Sequence, residues 1–321
     1  MKKILPILLF LLIIPAAARA DMGQIHASDV QVAEDGQKAI ILHNLKEEIL
    51  ILGTDLRAEK QTGIVRFIPF PSEPAVALAE GDPFKAATEL IAKYHLAFIY
   101  QTKGSGAEAK DVEVLFNQKM GAHDVTVVKI NQVGTFREWV NNFFKTKGLP
   151  AKDAYPEIES VAENYVKRGI TYFVFDFVEL TSDVRFVEPM AYRFKSKDLY
   201  YPLVTSNTFG GEGSIEIFLF SPRTACHPLE SYYNGCMGLP DLHASTSAQV
   251  PVDDLKSVHP RAADFFKGQT VYYQYLRFFG KYQFENDLIF DLTQGHDRAF
   301  SAKEFVKDKP SLRMELTPSK Q

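Results

Sequence analysis

The sequence predicts an α+β fold, with a mostly antiparallel β-sheet and about three main helices packed on it. Short apolar segments rich in Ile, Val, Leu and Phe recur along the chain, as is typical of strands. Three longer segments between them carry apolar residues at helical spacing. The composition, 46% hydrophobic and 12% aromatic, is that of a folded protein with a substantial core.

The first strands are predicted near the beginning of the chain. Asp29–Ala33 and Lys38–Asn44 flank the tetrapeptide 34–37, whose Asp-Gly pair favours a hairpin turn. Glu48–Thr54 lacks polar alternation, so we expect this strand to be buried on both faces. Gly63–Pro69 continues the same apolar pattern and is predicted to extend the sheet.

The three predicted helices are recognised by the residues at their ends. Asp82 suits the N-cap of the first, and Pro83 suits its first helical position. The second helix is predicted to begin near Thr135 and to end at Gly148. The third runs over residues 156–168.

Further strands follow the helices and lie between them. They are predicted at Val112–Phe116, Val125–Ile130, Ile170–Leu180, Arg185–Arg193, Tyr200–Ser206 and Ser214–Ser221. The aromatic segment Val271–Phe284 is predicted to be ordered. The intervening residues 222–262 contain five Pro, both Cys and three His, and this composition predicts a loop-like region.

The N-terminus has the three parts of a cleavable signal peptide, which we assign to residues 1–20. Lys2 and Lys3 precede the apolar segment Ile4–Ile14, and Ala18-Arg19-Ala20 offers small residues for cleavage near Ala20. The protein is therefore expected to be exported, to the periplasm or the extracellular space. The alternative is an uncleaved N-terminal anchor.

Composition shifts predict the domain organisation of the rest of the chain. Residues 21–221 form a main α+β domain, 222–307 a smaller Cys-containing C-terminal region, and 308–321 a loose tail. We expect no transmembrane segment in the mature chain, because no later apolar segment is long enough to span a bilayer.

Charge disfavours a nucleic-acid partner. The net charge is −4 at pH 7, and loss of Lys2, Lys3 and Arg19 with the signal peptide makes it more negative still. Binding to phosphate backbones requires clustered Lys and Arg, which this acidic chain does not offer.

Two cysteines define the main chemical hypothesis. Cys226 and Cys236 are the only cysteines, and in an exported chain an even count predicts one disulfide. Free thiols are one alternative. The other is a metal or thiol site in residues 226–243, with Cys226, His227, Cys236 and Met237 as candidate ligands, although the spacing matches no standard zinc pattern.

Catalytic motifs are missing from the sequence. It contains no His-Glu-x-x-His, no Gly-x-Ser-x-Gly and no phosphate-binding Gly-x-x-x-x-Gly-Lys-Ser/Thr, so no cofactor and no catalytic residue is assigned. An extracytoplasmic hydrolase would need His123 or His227 to meet a carboxylate or nucleophile from a distant segment.

A series of motifs, in order, resembles exported, uncharacterised prokaryotic proteins of the domain-of-unknown-function family 2330. The motifs span roughly residues 25–221 and are Gly36–Ile41, Glu48–Leu52, Phe67–Ser72, Gly121–Val125, Trp139, Tyr172–Asp176 and Leu199–Leu203. The resemblance implies no activity, cofactor or catalytic residue. The leading expectation is therefore a non-catalytic exported module that binds a partner protein or a cell-envelope component, with the hydrolase and the metal or thiol site as alternatives.

Overall fold

The computed structural model describes residues 23–26, 32–58, 60–101, 124–131, 134–180, 185–208, 212–306 and 312–316. The predicted signal peptide, the predicted strand Val112–Phe116 and His123 lie outside these residues. The fold is α+β with mostly antiparallel sheets, as predicted. Among the described residues, no helix combines the length and the apolar character needed to cross a membrane.

The strands and helices are as follows. The strands are β1 (Gly23–His26), β2 (Val32–His43), β3 (Glu47–Ala58), β4 (Thr62–Phe70), β5 (Ala75–Leu78), β6 (Ala97–Gln101), β7 (Asp124–Lys129), β8 (Tyr172–Leu180), β9 (Arg185–Lys195), β10 (Leu199–Tyr201), β11 (Glu212–Ser221), β12 (Leu242–Val250), β13 (Val271–Lys281), β14 (Leu288–Phe290) and β15 (Leu312–Leu316). The α-helices are α1 (Pro83–Tyr94), α2 (Gly134–Thr146), α3 (Pro156–Lys167), α4 (Pro228–Asn234), α5 (Ala262–Phe266) and α6 (Ala302–Val306). Short 3₁₀ helices cover Leu203–Thr208, Val252–Ser257 and Leu292–Gln294.

A seven-stranded sheet organises the molecule, in the order β12-β13-β11-β2-β3-β9-β5. Its neighbouring strands are antiparallel except for the parallel pair β11 and β2. Ile49, Leu50, Ile51 and Leu52 of β3 are all buried, so this strand is covered on both faces, as predicted. β12 and β13 belong to the predicted C-terminal region and β11 to the predicted main domain, so the predicted boundary between 221 and 222 falls inside one sheet.

A four-stranded sheet, β1-β4-β8-β7, packs against one face of the larger sheet. Phe70 of the small sheet contacts Tyr192 and Phe194 of the large sheet, with ring centroids 5.1 Å apart in both pairs. On the outer side, α2 covers the small sheet through Phe136, which contacts Phe67. α1 and α5 cover the opposite face of the large sheet, where a second core forms. The architecture is therefore layered, with helices outside two stacked sheets.

The three predicted main helices are α1, α2 and α3, each 12 or 13 residues long. Asp82 caps α1 as predicted, because its carboxylate accepts a hydrogen bond from the backbone N–H of Lys85 at 3.0 Å. α2 begins at Gly134, one residue before the predicted Thr135, and buries Phe136, Val140 and Phe144. Such apolar stripes explain why these segments are helical.

The predicted hairpin at residues 34–37 is wrong. β2 runs without a break from Val32 to His43, and its register against β3 shifts between Glu34 and Gln37. Gly36 has a φ of 154° there, a value that glycine adopts readily. The Asp-Gly pair therefore marks a β-bulge inside one strand rather than a turn between two.

The predicted loop-like region 222–262 contains α4 and β12, so this expectation is also wrong. β12 lacks the apolar pattern of a strand because its buried polar side chains bond to backbone groups. Thr246 accepts from the N–H of Ala97, and Ser247 accepts from the N–H of Phe300, each at 2.9 Å.

Two further expectations need correction. Part of the predicted loose tail 308–321 is strand β15, which pairs antiparallel with β6. The predicted strand Tyr200–Ser206 is extended only as far as Tyr201. Pro202, which has no N–H to donate to a ladder, follows, and a 3₁₀ helix begins at Leu203.

Candidate functional site

The two cysteines lie together, as predicted. The sulfur atoms of Cys226 and Cys236 are at disulfide distance, and their Cα atoms are 5.8 Å apart. Both residues are buried. Gly235, just before Cys236, has a φ of 75°, and a Cβ there would overlap the carbonyl of Leu239, so only glycine suits this turn.

Gln274 fastens the cysteine loop to the large sheet. Its side-chain oxygen accepts hydrogen bonds from the N–H groups of Ala225 and Cys226, at 3.1 and 3.2 Å. Its side-chain nitrogen donates to the carbonyls of Cys226 and Ser245, at 2.8 and 3.1 Å. In the sequence, Gln274 stands out only as a single amide side chain among the aromatic residues of β13, and the sequence analysis does not predict its role. These contacts indicate a structural anchor.

The four candidate metal ligands do not converge. Nδ1 of His227 accepts a hydrogen bond from the N–H of Glu230 at 3.3 Å and so caps α4. Met237 packs against the main core, while the sulfurs of Cys226 and Cys236 face each other. Across the part of the chain that the structure describes, no group of three or more His, Cys, Asp or Glu side chains could hold a metal ion.

His227 lies in an aromatic environment. Its ring centroid is 4.8 Å from that of Phe300, 5.4 Å from Phe305 and 6.4 Å from His296. Burial lowers the pKa of His227, and the carboxylate of Glu230 opposes this effect. The neighbouring Cys226 sulfur lies against Cys236, so the structure does not present it to His227 as a nucleophile. These contacts suit packing and capping better than acid–base catalysis.

A groove lies beside the edge strand β5, and sequence reasoning missed it. Its volume is about 300 Å³, and it runs between β5 with the following residues 79–80 and the segment 258–265. The floor is formed by the large sheet, and Phe265 belongs to the opposite wall. The backbone carbonyl of Phe265 accepts a hydrogen bond from the side chain of Asn44 at 3.0 Å, which holds this wall to the turn between β2 and β3. We call this feature the β5 groove.

Three alanines create the depth of the β5 groove. Ala77 lies opposite Ala191 of β9, and Ala75 lies opposite Arg193. Residues opposite each other in a ladder project to the same face, so the methyl groups of all three alanines point into the groove. Leu78 projects to the other face, where its side chain is 55% exposed. The signal in the sequence is an edge strand in which Ala alternates with larger apolar residues, and the pairing with Ala191 cannot be known before the fold.

Charged groups lie along the groove. The guanidinium of Arg193 donates to the carboxylate of Glu47 at 2.7 Å and lies 5.6 Å from the ring centroid of Phe265. Arg261, His259 and Glu80 also line the groove, and burial lowers the pKa of His259. An apolar floor beside a few polar groups is the usual composition of a ligand site.

A second concavity, of about 270 Å³, lies beside α2 and includes Trp139. The Trp139 ring is stacked on Phe143, with centroids 5.1 Å apart, and lies 4.1 Å from Phe175. Through these contacts the indole ring packs against the core of the protein, which leaves less of it available to a ligand. The β5 groove is therefore the better candidate for binding.

Comparison with known proteins adds a distant likeness. No protein-family model matches the chain, and no curated protein matches it. Among solved structures, baculovirus P35 is similar at 6% identity and a TM-score of 0.42, covering 82% of this chain and 97% of that chain. A mutated baculovirus P35 after caspase cleavage has 7% identity and a TM-score of 0.39, covering 80% and 99%. These scores are too low to support an argument about function.

Proposed function

We propose that this protein is a non-catalytic exported module that binds a partner or a cell-envelope component through the β5 groove. The observation that supports the proposal is the alanine floor of Ala75, Ala77 and Ala191, which lies open beside an edge strand. Concave apolar sites with few polar groups are the preferred places for ligands. The contacts of Cys226, His227 and Gln274 are explained by packing, so they lend no support to the hydrolase or to the metal site.

Site-specific crosslinking in the native cell tests this proposal. A photoreactive amino acid replaces the exposed Glu80 on the rim of the groove. We expect a crosslinked adduct that disappears when Ala77→Trp fills the floor, because the indole occupies the space of the ligand. Phe279→Trp is the matched control, since it places the same ring at an exposed position of β13 outside the lining of the groove and should leave the adduct in place.

Two outcomes would contradict the proposal. One is the absence of any adduct at position 80 in a protein that is correctly folded and exported. The other is an adduct that persists in Ala77→Trp, which would place the partner elsewhere on the surface. Thermal unfolding of both tryptophan variants verifies folding, and we expect little change because Ala77 and Phe279 are exposed.

Export and the redox state of the cysteines belong to the same proposal. Sequencing the N-terminus of the protein from its native compartment should give Asp21 as the first residue. Thiol titration of the denatured protein should detect Cys226 and Cys236 only after reduction. Met1 at the N-terminus, or two thiols without reduction, would contradict these parts. Membership of the domain-of-unknown-function family 2330 is likewise a proposal, supported by the order of the motifs.

A further inference from the structure

We infer that the β5 groove binds a small amphipathic carboxylate, with its apolar body on the alanine floor and its carboxylate at Arg193 and Arg261. This inference rests on the proposed function and specifies its ligand. The floor, the charged groups and the size of the groove each contribute to it.

The floor brings apolar side chains and one guanidinium together. Across β3, β9 and β5, one row of the ladder is Ile49, Arg193 and Ala75, and the next is Ile51, Ala191 and Ala77. Because paired residues share a face, Arg193 lies at one end of an otherwise apolar surface. A ligand that covers this surface brings its end next to the Arg193 guanidinium.

Positive charge predominates among the side chains that line the groove. The lining includes the guanidiniums of Arg193 and Arg261 and one carboxylate, that of Glu80. Arg193 also pairs with Glu47 at 2.7 Å, and Arg261 lies 3.8 Å from Asp264.

These ion pairs leave capacity for a ligand. A guanidinium has five N–H donors, and one carboxylate does not satisfy all of them. The side chain of Arg193 is 42% exposed and that of Arg261 is 71% exposed, so both remain accessible to an incoming anion.

Size limits the ligand to a small molecule. The volume of about 300 Å³ is at the lower end of the range of roughly 300–1,000 Å³ for ligand pockets. It suits one short acyl chain or one aromatic group. A cationic amphiphile would place its charge against two guanidiniums, and a neutral one would leave the charge of Arg193 without a ligand partner.

Calorimetric titration of the mature protein distinguishes these ligands. The probes are decanoate, decanol and decyltrimethylammonium below their micellar concentrations, and acetate as the head group alone. We expect decanoate to bind and the other three to bind at least about tenfold more weakly, since only decanoate combines an apolar body with a head group that accepts charge-assisted hydrogen bonds from the guanidiniums. Equal affinity for decanol and decanoate would overturn the inference.

Variants locate the site. Arg261→Gln and Arg193→Gln should each weaken decanoate binding, by about tenfold or more for Arg193→Gln. Arg261 is mostly exposed, so its variant reports on binding even if Arg193→Gln unfolds. Ala77→Trp should abolish binding, and Phe279→Trp, at an exposed position outside the lining of the groove, should leave it unchanged. Binding that survives both arginine replacements, or Ala77→Trp, would overturn the inference.

The two proposals can fail separately. An adduct at position 80 that Ala77→Trp removes, together with no binding of decanoate, would retain the binding module and reject the carboxylate. An extended peptide would then be the next ligand to examine. Absence of both the adduct and decanoate binding would reject the groove as a binding site altogether.

Discussion

His43 is a buried histidine that makes the stability of the protein depend on pH. It lies at the end of β2, has no solvent exposure, and is paired across the ladder with the equally buried Glu48. The N–H of Leu45 donates to Nδ1 of His43 at 2.9 Å, so this nitrogen carries no proton in the native state. Burial lowers the pKa of His43 from 6.5 to about 4.

The direction and size of the effect follow from proton linkage. In the unfolded chain His43 takes up a proton below about pH 6.5, whereas in the native state it does so only near pH 4. Between these values the unfolded state binds more protons, so the free energy of unfolding falls as the pH falls. The difference between the two pKa values corresponds to about 3 kcal/mol, which is fully present above pH 6.5 and lost by about pH 4.

Urea unfolding from pH 7.5 to pH 4, followed by circular dichroism, measures this loss. His43→Gln should lose less free energy of unfolding over this range than the wild type, by about 3 kcal/mol. His227 and His259 also titrate differently in the folded protein. Burial lowers the pKa of both histidines, but these contributions are common to both proteins and cancel in the difference.

A surface histidine provides the control. His95 is exposed at the C-cap of α1 in a left-handed conformation, which Asn tolerates. His95→Asn should leave the free energy of unfolding at pH 7.5 nearly unchanged, because the side chain is exposed. Parallel curves for wild type and His43→Gln would refute the reasoning, because they would mean that His43 binds protons equally in the folded and unfolded states.

Three further replacements test the core. Arg66→Met removes the guanidinium that forms an ion pair with the buried carboxylate of Asp176, and it should lower the free energy of urea unfolding by about 3–5 kcal/mol. The double variant Arg66→Met with Asp176→Leu should recover most of this loss, and an equally unstable double variant would contradict the reasoning. Replacing Cys226 and Cys236 by Ser should lower the free energy of unfolding by about 3 kcal/mol, as expected for a disulfide that closes a loop with a sequence separation of 10. A reducing agent should destabilise only the wild type. Gln274→Leu should lower the free energy of unfolding by about 1–3 kcal/mol or more. It should also speed hydrogen exchange of the backbone amide of Cys226, and unchanged exchange would rule out the anchoring role.

Local sequence patterns are sufficient to predict the elements whose conformation depends on residues adjacent in the sequence. α1 was predicted because Asp82 and Pro83 act within the first turn of the helix, and β3 because its side chains are apolar without alternation. The Asp-Gly pair containing Gly36 shows the limit of such reasoning. The same two residues suit a hairpin or a bulge, and the choice depends on pairing with β3, which only the complete sheet determines.

The candidate site could not be predicted because its parts are distant in the sequence. Ala77 and Ala191 form one floor only after β5 pairs with β9, and Phe265 closes the wall from a third segment. Taken singly in the sequence, each of these residues is typical of ordinary core packing. β12 was missed for a related reason, since Thr246 and Ser247 read as loop residues until their backbone partners are known.

The parallel pair of β2 and β11 has a consequence for how the chain assembles. β11 begins at Glu212 and lies beside β2, which ends at His43, and the sheet then continues outward through β13 and β12. β2 therefore keeps one unpaired edge until β11 has been synthesised. Contacts between such distant segments slow folding, because long loops must close first. A fragment that stops at residue 221 would leave the outer edge of β11 bare, an edge that favours aggregation.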